Sequence, residues 1–139
     1  IGLGIPAEPL FRSFQVMKKD KQRKKDGIGA DVAEIVKQGG ATLDRNGDAV
    51  SFRNGFQVSK KDCYKINAES LNEIKKAIKT VLKRIGHESG LFCGVWVDSG
   101  LVYIDISERI KSRKKAVNVG KARHQISVFD WRAGDCVYC

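Results

Sequence analysis

The chain has 139 residues, 42% of them hydrophobic and 30% charged, with a formal charge of +10. That length fits one domain able to bury a core without disulfide staples, and the longest apolar run, LFCGVWV (Leu91–Val97), is far too short to span a bilayer. Lys and Arg outnumber Asp and Glu by 26 to 16, which favours a polyanionic partner; nucleic acid is the commonest, ahead of acidic proteins or lipid surfaces.

The first residues, IGLGIPAEPLF, lack the basic start and long apolar middle of a signal peptide, and a start at Ile1 rather than Met points to trimming or processing. Residues 1–27 are expected to form an extended basic arm: Gly2, Gly4, Pro6 and Pro9 oppose a helix, and KKDKQRKK follows at 18–25. Lys18, Lys19, Lys21, Arg23, Lys24 and Lys25 are its candidate phosphate contacts, the bland reading being a solvated linker. The arm is also where a protein partner or a second copy of the chain would engage.

The remaining residues, 28–139, are expected to fold as one domain. DVAEIVKQGG gives a short helix over about 31–38, capped by Asp31 and stopped by Gly39-Gly40. ATLDRNGDAVSF reads as a hairpin turning at Asn46-Gly47; after a second signal at Asn54-Gly55, FQVS is a strand with Phe56 and Val58 on one face. Leu71, Ile74, Ile78, Val81, Leu82 and Ile85 recur at helical spacing, predicting a helix over about 69–85 whose cationic last turn suits the helix dipole.

CGVWVDSGLVYIDIS forms a hairpin if Ser99-Gly100 is a two-residue turn. Asp98 then faces Leu101, Trp96 faces Tyr103 and Cys93 faces Ile106. One side carries Cys93, Val95, Val97, Val102, Ile104 and Ile106, a core face; the other carries Trp96, Tyr103, Asp105 and Ser107. SRKKAVNVGKARHQ is a third helix, about 112–124, capped by Ser112, with Gly120 allowing close contact with the sheet. ISVFDW is a strand over about 126–130, AGD a turn, and CVYC a last short strand.

Strands and helices do not alternate strictly, so the expected class is α+β: a mostly antiparallel sheet with helices packed on one face. The helix-free face would then display Trp96 and Tyr103, an aromatic pair on which single-stranded bases can stack, or a cross-strand pair that only stabilises the hairpin. Arg113, Lys114, Lys115, Lys121 and Arg123 complete the candidate nucleic-acid contacts.

Chemistry is thinner. His124 is a candidate general acid or base, with Asp105 to orient it and Arg113 or Arg123 to stabilise a phosphorane-like transition state, the outline of a metal-free ribonuclease. A His at a helix C-terminus is more commonly structural. Cys136 and Cys139 form a C-x-x-C, but zinc would need two further ligands at knuckle spacing, which His87 and Cys93 do not provide. Free thiols, no metal and no cofactor are expected.

G-V-W-V-D, V-Y-I-D-I-S, A-x3-G and H-Q-I-S-V-F-D, across residues 91–131, together resemble a module of uncharacterised proteins from bacteriophages and other bacterial mobile elements. The resemblance implies context, a bacterial host cytoplasm or a virion, and no activity. The favoured expectation is a small basic protein that binds DNA or RNA electrostatically without catalysis. The alternatives are a ribonuclease or toxin-like nuclease using His124, and a virion structural or interaction protein.

Overall fold

A computed structural model describes residues 28–139. The basic arm and its six candidate cations, Lys18 to Lys25, lie outside the described residues. Helices α1 (Val32–Gln38), α2 (Leu71–Ile85) and α3 (Arg113–Ala122) are interspersed with strands β1 (Gly40–Leu43), β2 (Ala49–Val50), β3 (Phe56–Asn67), β4 (Leu91–Asp98), β5 (Leu101–Ile110), β6 (Ser127–Asp130) and β7 (Asp135–Tyr138). All seven strands join one antiparallel sheet in the order β2-β1-β4-β5-β3-β6-β7, so the class is α+β as expected.

The β4–β5 hairpin has the register that a two-residue Ser99-Gly100 turn demands: Trp96 pairs with Tyr103, Val95 with Ile104 and Cys93 with Ile106. Ser99 and Gly100 both take positive φ, 51° and 76°, matching the right-handed twist of the strands they join. Val95, Val102 and Ile104 are fully buried in one core with Ile74, Ile78 and Val81 of α2 and with Val32 and Ile35 of α1. Farther along the sheet, Ala116 of α3 shares a second cluster with Phe56, Val58, Ile110 and Val128. Gly120 faces the sheet there as anticipated: a Cβ on it would sit 2.5 Å from Cys139 Sγ and 3.1 Å from Val128 Cγ1, so a larger residue would force these side chains to shift.

Strand β3 is longer than FQVS implied, running twelve residues to Asn67. Register shifts between Ser59 and Lys61 and between Asp62 and Tyr64 interrupt its alternation, so no period-two signal survives in KKDCYKIN.

The helix-free face is not open, and this corrects the sequence expectation. Trp96 is 9% exposed, Asp105 1% and Ser107 2%; Tyr103 is half-buried. The cause is the curl of the sheet. Strands β4 and β6 are separated by β5 and β3, about 14 Å on a flat sheet, yet the Trp96 and Phe129 rings lie 6.3 Å apart. The central strands present small polar groups on this side (Ser59, Gln57, Ser107), and aromatic residues from the flanking strands close over them. Phe129 meets Trp131 edge-on at 5.0 Å, and Trp131 meets Phe52 at 5.3 Å. Underneath, Trp131 Nε1 donates to Gln57 Oε1 (3.0 Å) and Gln57 Nε2 donates to Ser107 Oγ (2.8 Å). The concave face is a second interior in which Gln57, Ser107 and the Trp131 indole are paired with one another.

Candidate nucleic-acid interface

Helix α3 starts where Ser112 takes an extended backbone conformation and its Oγ accepts from the Lys115 amide (3.2 Å). It stops at a Schellman closure: the Gln125 amide donates to Gly120 O and the His124 amide to Lys121 O, with His124 left-handed at φ 58°. Between these ends Ala116 and Gly120 face the sheet, while Arg113, Lys114, Lys115, Asn118 and Lys121 are exposed.

The charge order along α3 opposes its own dipole. Arg113, Lys114 and Lys115 crowd the positive end and no acidic residue occupies the first turn. Each such cation costs a few tenths to about 1 kcal/mol at an exposed helix start. Helix α2 is arranged the other way, with Glu73 in its first turn and Lys83 and Arg84 in its last, so its cations stabilise the helix that carries them. Local stability therefore accounts for the cations in the last turn of α2 and for Lys121 in the last turn of α3, and not for Arg113, Lys114 and Lys115.

Beside the start of α3 lies an open cleft of about 470 Å³, lined by Asn54, Gly55, Phe56, Lys111, Arg113, Asp130 and Arg132. Its three cations come from three segments: the β5–α3 link, the first residue of α3, and the β6–β7 turn. The Asp130 carboxylate is engaged in that turn, accepting from the amides of Arg132 (3.0 Å) and Ala133 (3.2 Å). Asn54 is held by Arg109, whose Nε donates to Asn54 O at 2.9 Å and whose guanidinium also lies over the Phe52 ring. The cleft thus gathers three cations next to the positive end of a helix, which is an arrangement that attracts phosphate groups.

The other candidate residues fall elsewhere. Lys121 lies two turns along α3 from Arg113. Arg123, one residue past α3, is tied into the structure: Nη2 pairs with Glu108 Oε2 (2.8 Å) and Nη1 donates to Ser59 O (3.3 Å). Tyr103 lies eight residues up β5 from Lys111, roughly 26 Å away, with the Lys65 ammonium over its ring. Trp96 is walled into the concave interior. Lys111 and Arg132 were not among the sequence candidates; Lys111 is two residues from Arg113 in the same basic stretch, whereas Arg132 stands alone in its own and reaches the cleft only through the pairing of β5, β3 and β6.

His124 is exposed at the end of α3, whereas Asp105 is sealed inside the sheet. The partners of the Asp105 carboxyl are Ser59, the Trp96 indole and the Gly94 amide, and burial pushes its pKa up to about 7, against the lowering effect of those hydrogen bonds, with Asp62 adding to the rise. Gly94 makes room for it, since a Cβ there would lie 2.1 Å from Asp105 Oδ1. Cys136 belongs to the cluster that includes Phe129 and Trp131, and Cys139 to the one under α3, so the C-x-x-C sends its two thiols to opposite sides of the sheet. Burial raises the pKa of Cys139. Among the described residues no group of three or more His, Cys, Asp and Glu is placed to hold a metal ion, and no helix is long and apolar enough to cross a membrane.

No family model, no curated protein and no solved structure matches this chain.

Proposed function

We propose that this protein binds nucleic acid, DNA or RNA, through the cationic start of α3 and the adjoining cleft, by electrostatic attraction and without catalysis. The observation that carries the reading is the placement of Arg113, Lys114 and Lys115 at the end of α3 where cations cost helix stability, next to Lys111 and Arg132. Charge held against a local cost is best explained by a partner that compensates it, and phosphate at a helix N-terminus does so. Lys18 to Lys25 would add sequence-independent contacts. The resemblance across residues 91–131 supports a phage or mobile-element protein, working in a bacterial cytoplasm or a virion.

The test is a titration of labelled single-stranded DNA, duplex DNA and RNA over a range of salt concentrations. The variant Lys111→Gln/Arg113→Gln/Arg132→Gln should bind all three more weakly, with the slope of log Kd against log salt reduced by roughly 0.7–0.9 for each phosphate that is no longer neutralised. An unchanged affinity and slope would refute the assignment to this face.

A further inference from the structure

Residues 11–20, FRSFQVMKKD, repeat residues 52–62, FRNGFQVSKKD; the two differ only in Ser13 for Asn54-Gly55 and Met17 for Ser59. In the second copy the shared residues are those that hold β3 in the sheet. Phe52 stacks on Phe92 and Trp131, Phe56 and Val58 are buried under α3, and Gln57 bridges Trp131 and Ser107. The chain therefore carries two copies of a strand-anchoring sequence and one slot between β5 and β6.

That slot suits β3 alone. Ser59 is buried, and its hydroxyl donates to Asp62 (3.1 Å) and contacts the Asp105 carboxyl. Met at this position would overfill the site and remove a hydrogen-bond partner from a buried acid. The first copy, with Met17 where the second has Ser59, does not suit that slot.

The sheet has three stretches of open edge among the described residues. Strand β2 is two residues long. The far half of β3, beyond its pairing of Phe56 and Gln57 with β6, is guarded by Lys60, Lys61 and Lys65 and by both register shifts, features that oppose strand addition. Strand β7 has no such guard. It carries no cation, it has Asp135 at one end, and the two exposed large hydrophobic residues of the described chain, Tyr138 (62%) and Ile126 (42%), lie at its other end. Val137 is half-buried at the margin of the α3 cluster.

We propose that residues 14–18 of this chain add an eighth, antiparallel strand to the β7 edge, with Val16 opposite Val137 and Lys18 opposite Asp135. This register puts Phe14 and Val16 on the side of Val137 and α3, and Gln15 beside Tyr138. It pairs unlike charges at one end and covers the exposed apolar residues at the other. The added strand is supplied by the same molecule or exchanged with a second copy; its sequence and its seat are the same in both.

The test compares the full chain with its Phe14→Asp/Val16→Pro variant by hydrogen exchange at the amides of residues 135–138, with mass measured by light scattering. In the unaltered chain these amides should exchange at least about tenfold more slowly than in the variant, and a synthetic peptide of residues 9–20 should restore protection to the variant. A dimer that the variant dissociates, and a monomer whose β7 amides lose protection in the variant, both support the proposal and tell which molecule gives the strand. Equal exchange in the two proteins would overturn it. So would a protected dimer in the variant, which would mean that β7 pairs with β7 of a second copy. The nucleic-acid titration alters only Lys111, Arg113 and Arg132, so its outcome and the outcome of this test are read separately.

Discussion

The second face of the β4–β5 hairpin and the start of α3 both concentrate polar residues, and they end in opposite surroundings. On the hairpin, Trp96, Asp105 and Ser107 are drawn into a curled interior where Ser107 accepts from Gln57 and the Asp105 carboxyl lies against Ser59, the Trp96 indole and the Gly94 amide. At the start of α3, Arg113, Lys114 and Lys115 stay in water at the helix end where cations cost stability. Polar residues satisfied from within contribute to the fold. Charge that the fold does not reward is, on the function proposed, held for a partner.

If that contrast holds, damage on the two sides should separate stability from binding. The largest effect is expected from Trp96→Ala, which should cost about 3–5 kcal/mol of folding free energy in a denaturant titration, because it empties the concave interior. Its affinity for nucleic acid, corrected for the folded fraction, should not change. A stacking platform would give the reverse: unaltered stability and affinity weakened by about 1–3 kcal/mol.

Next in size is the pH dependence set by Asp105. Its folded-state pKa of about 7 lies above the ordinary value of 3.8, so the folded chain holds the proton more tightly than the unfolded chain. The stabilising effect is complete below about pH 4 and is lost as pH rises to about 7, on the order of 4 kcal/mol in total. Stability measured across this window should fall by much of that amount in the native protein, and Asp105→Asn should flatten the profile. A native profile rising with pH through the same window would show that the carboxylate is held charged.

The smallest effect sharpens the view of His124. A non-glycine residue in the left-handed region is strained, so His124→Gly should leave the protein unharmed or raise its stability by about 0.5 kcal/mol, with binding unchanged. Loss of an RNA-cleaving activity on this substitution would restore the nuclease reading.

Much of the fold was legible because its signals are local. Asn46-Gly47 and Ser99-Gly100 each place a turn, and the hairpin register follows from the second by counting. Leu71 to Ile85 carries an unambiguous helical period, and Ser112 announces α3. What escaped is set by distance and curvature. The far half of β3 lost its alternation to two register shifts, and the open face predicted for Trp96 assumed a flat sheet. The cleft was half visible: Arg113 could be named from the charge pattern, which also contained Lys111 two residues before it, whereas Arg132 acquires meaning only when three strands bring its segment alongside.

The most direct test of the central claim measures affinity and stability together on Arg113→Gln/Lys114→Gln/Lys115→Gln. The cations at the start of α3 should prove to be held for binding, to the detriment of the helix. Affinity for single-stranded nucleic acid at fixed low salt should fall, by tenfold or more if all three cations neutralise phosphates, while unfolding free energy rises by about 1–2 kcal/mol. A variant that binds as tightly as the native chain, or one that becomes less stable when its charges are removed, would contradict the account.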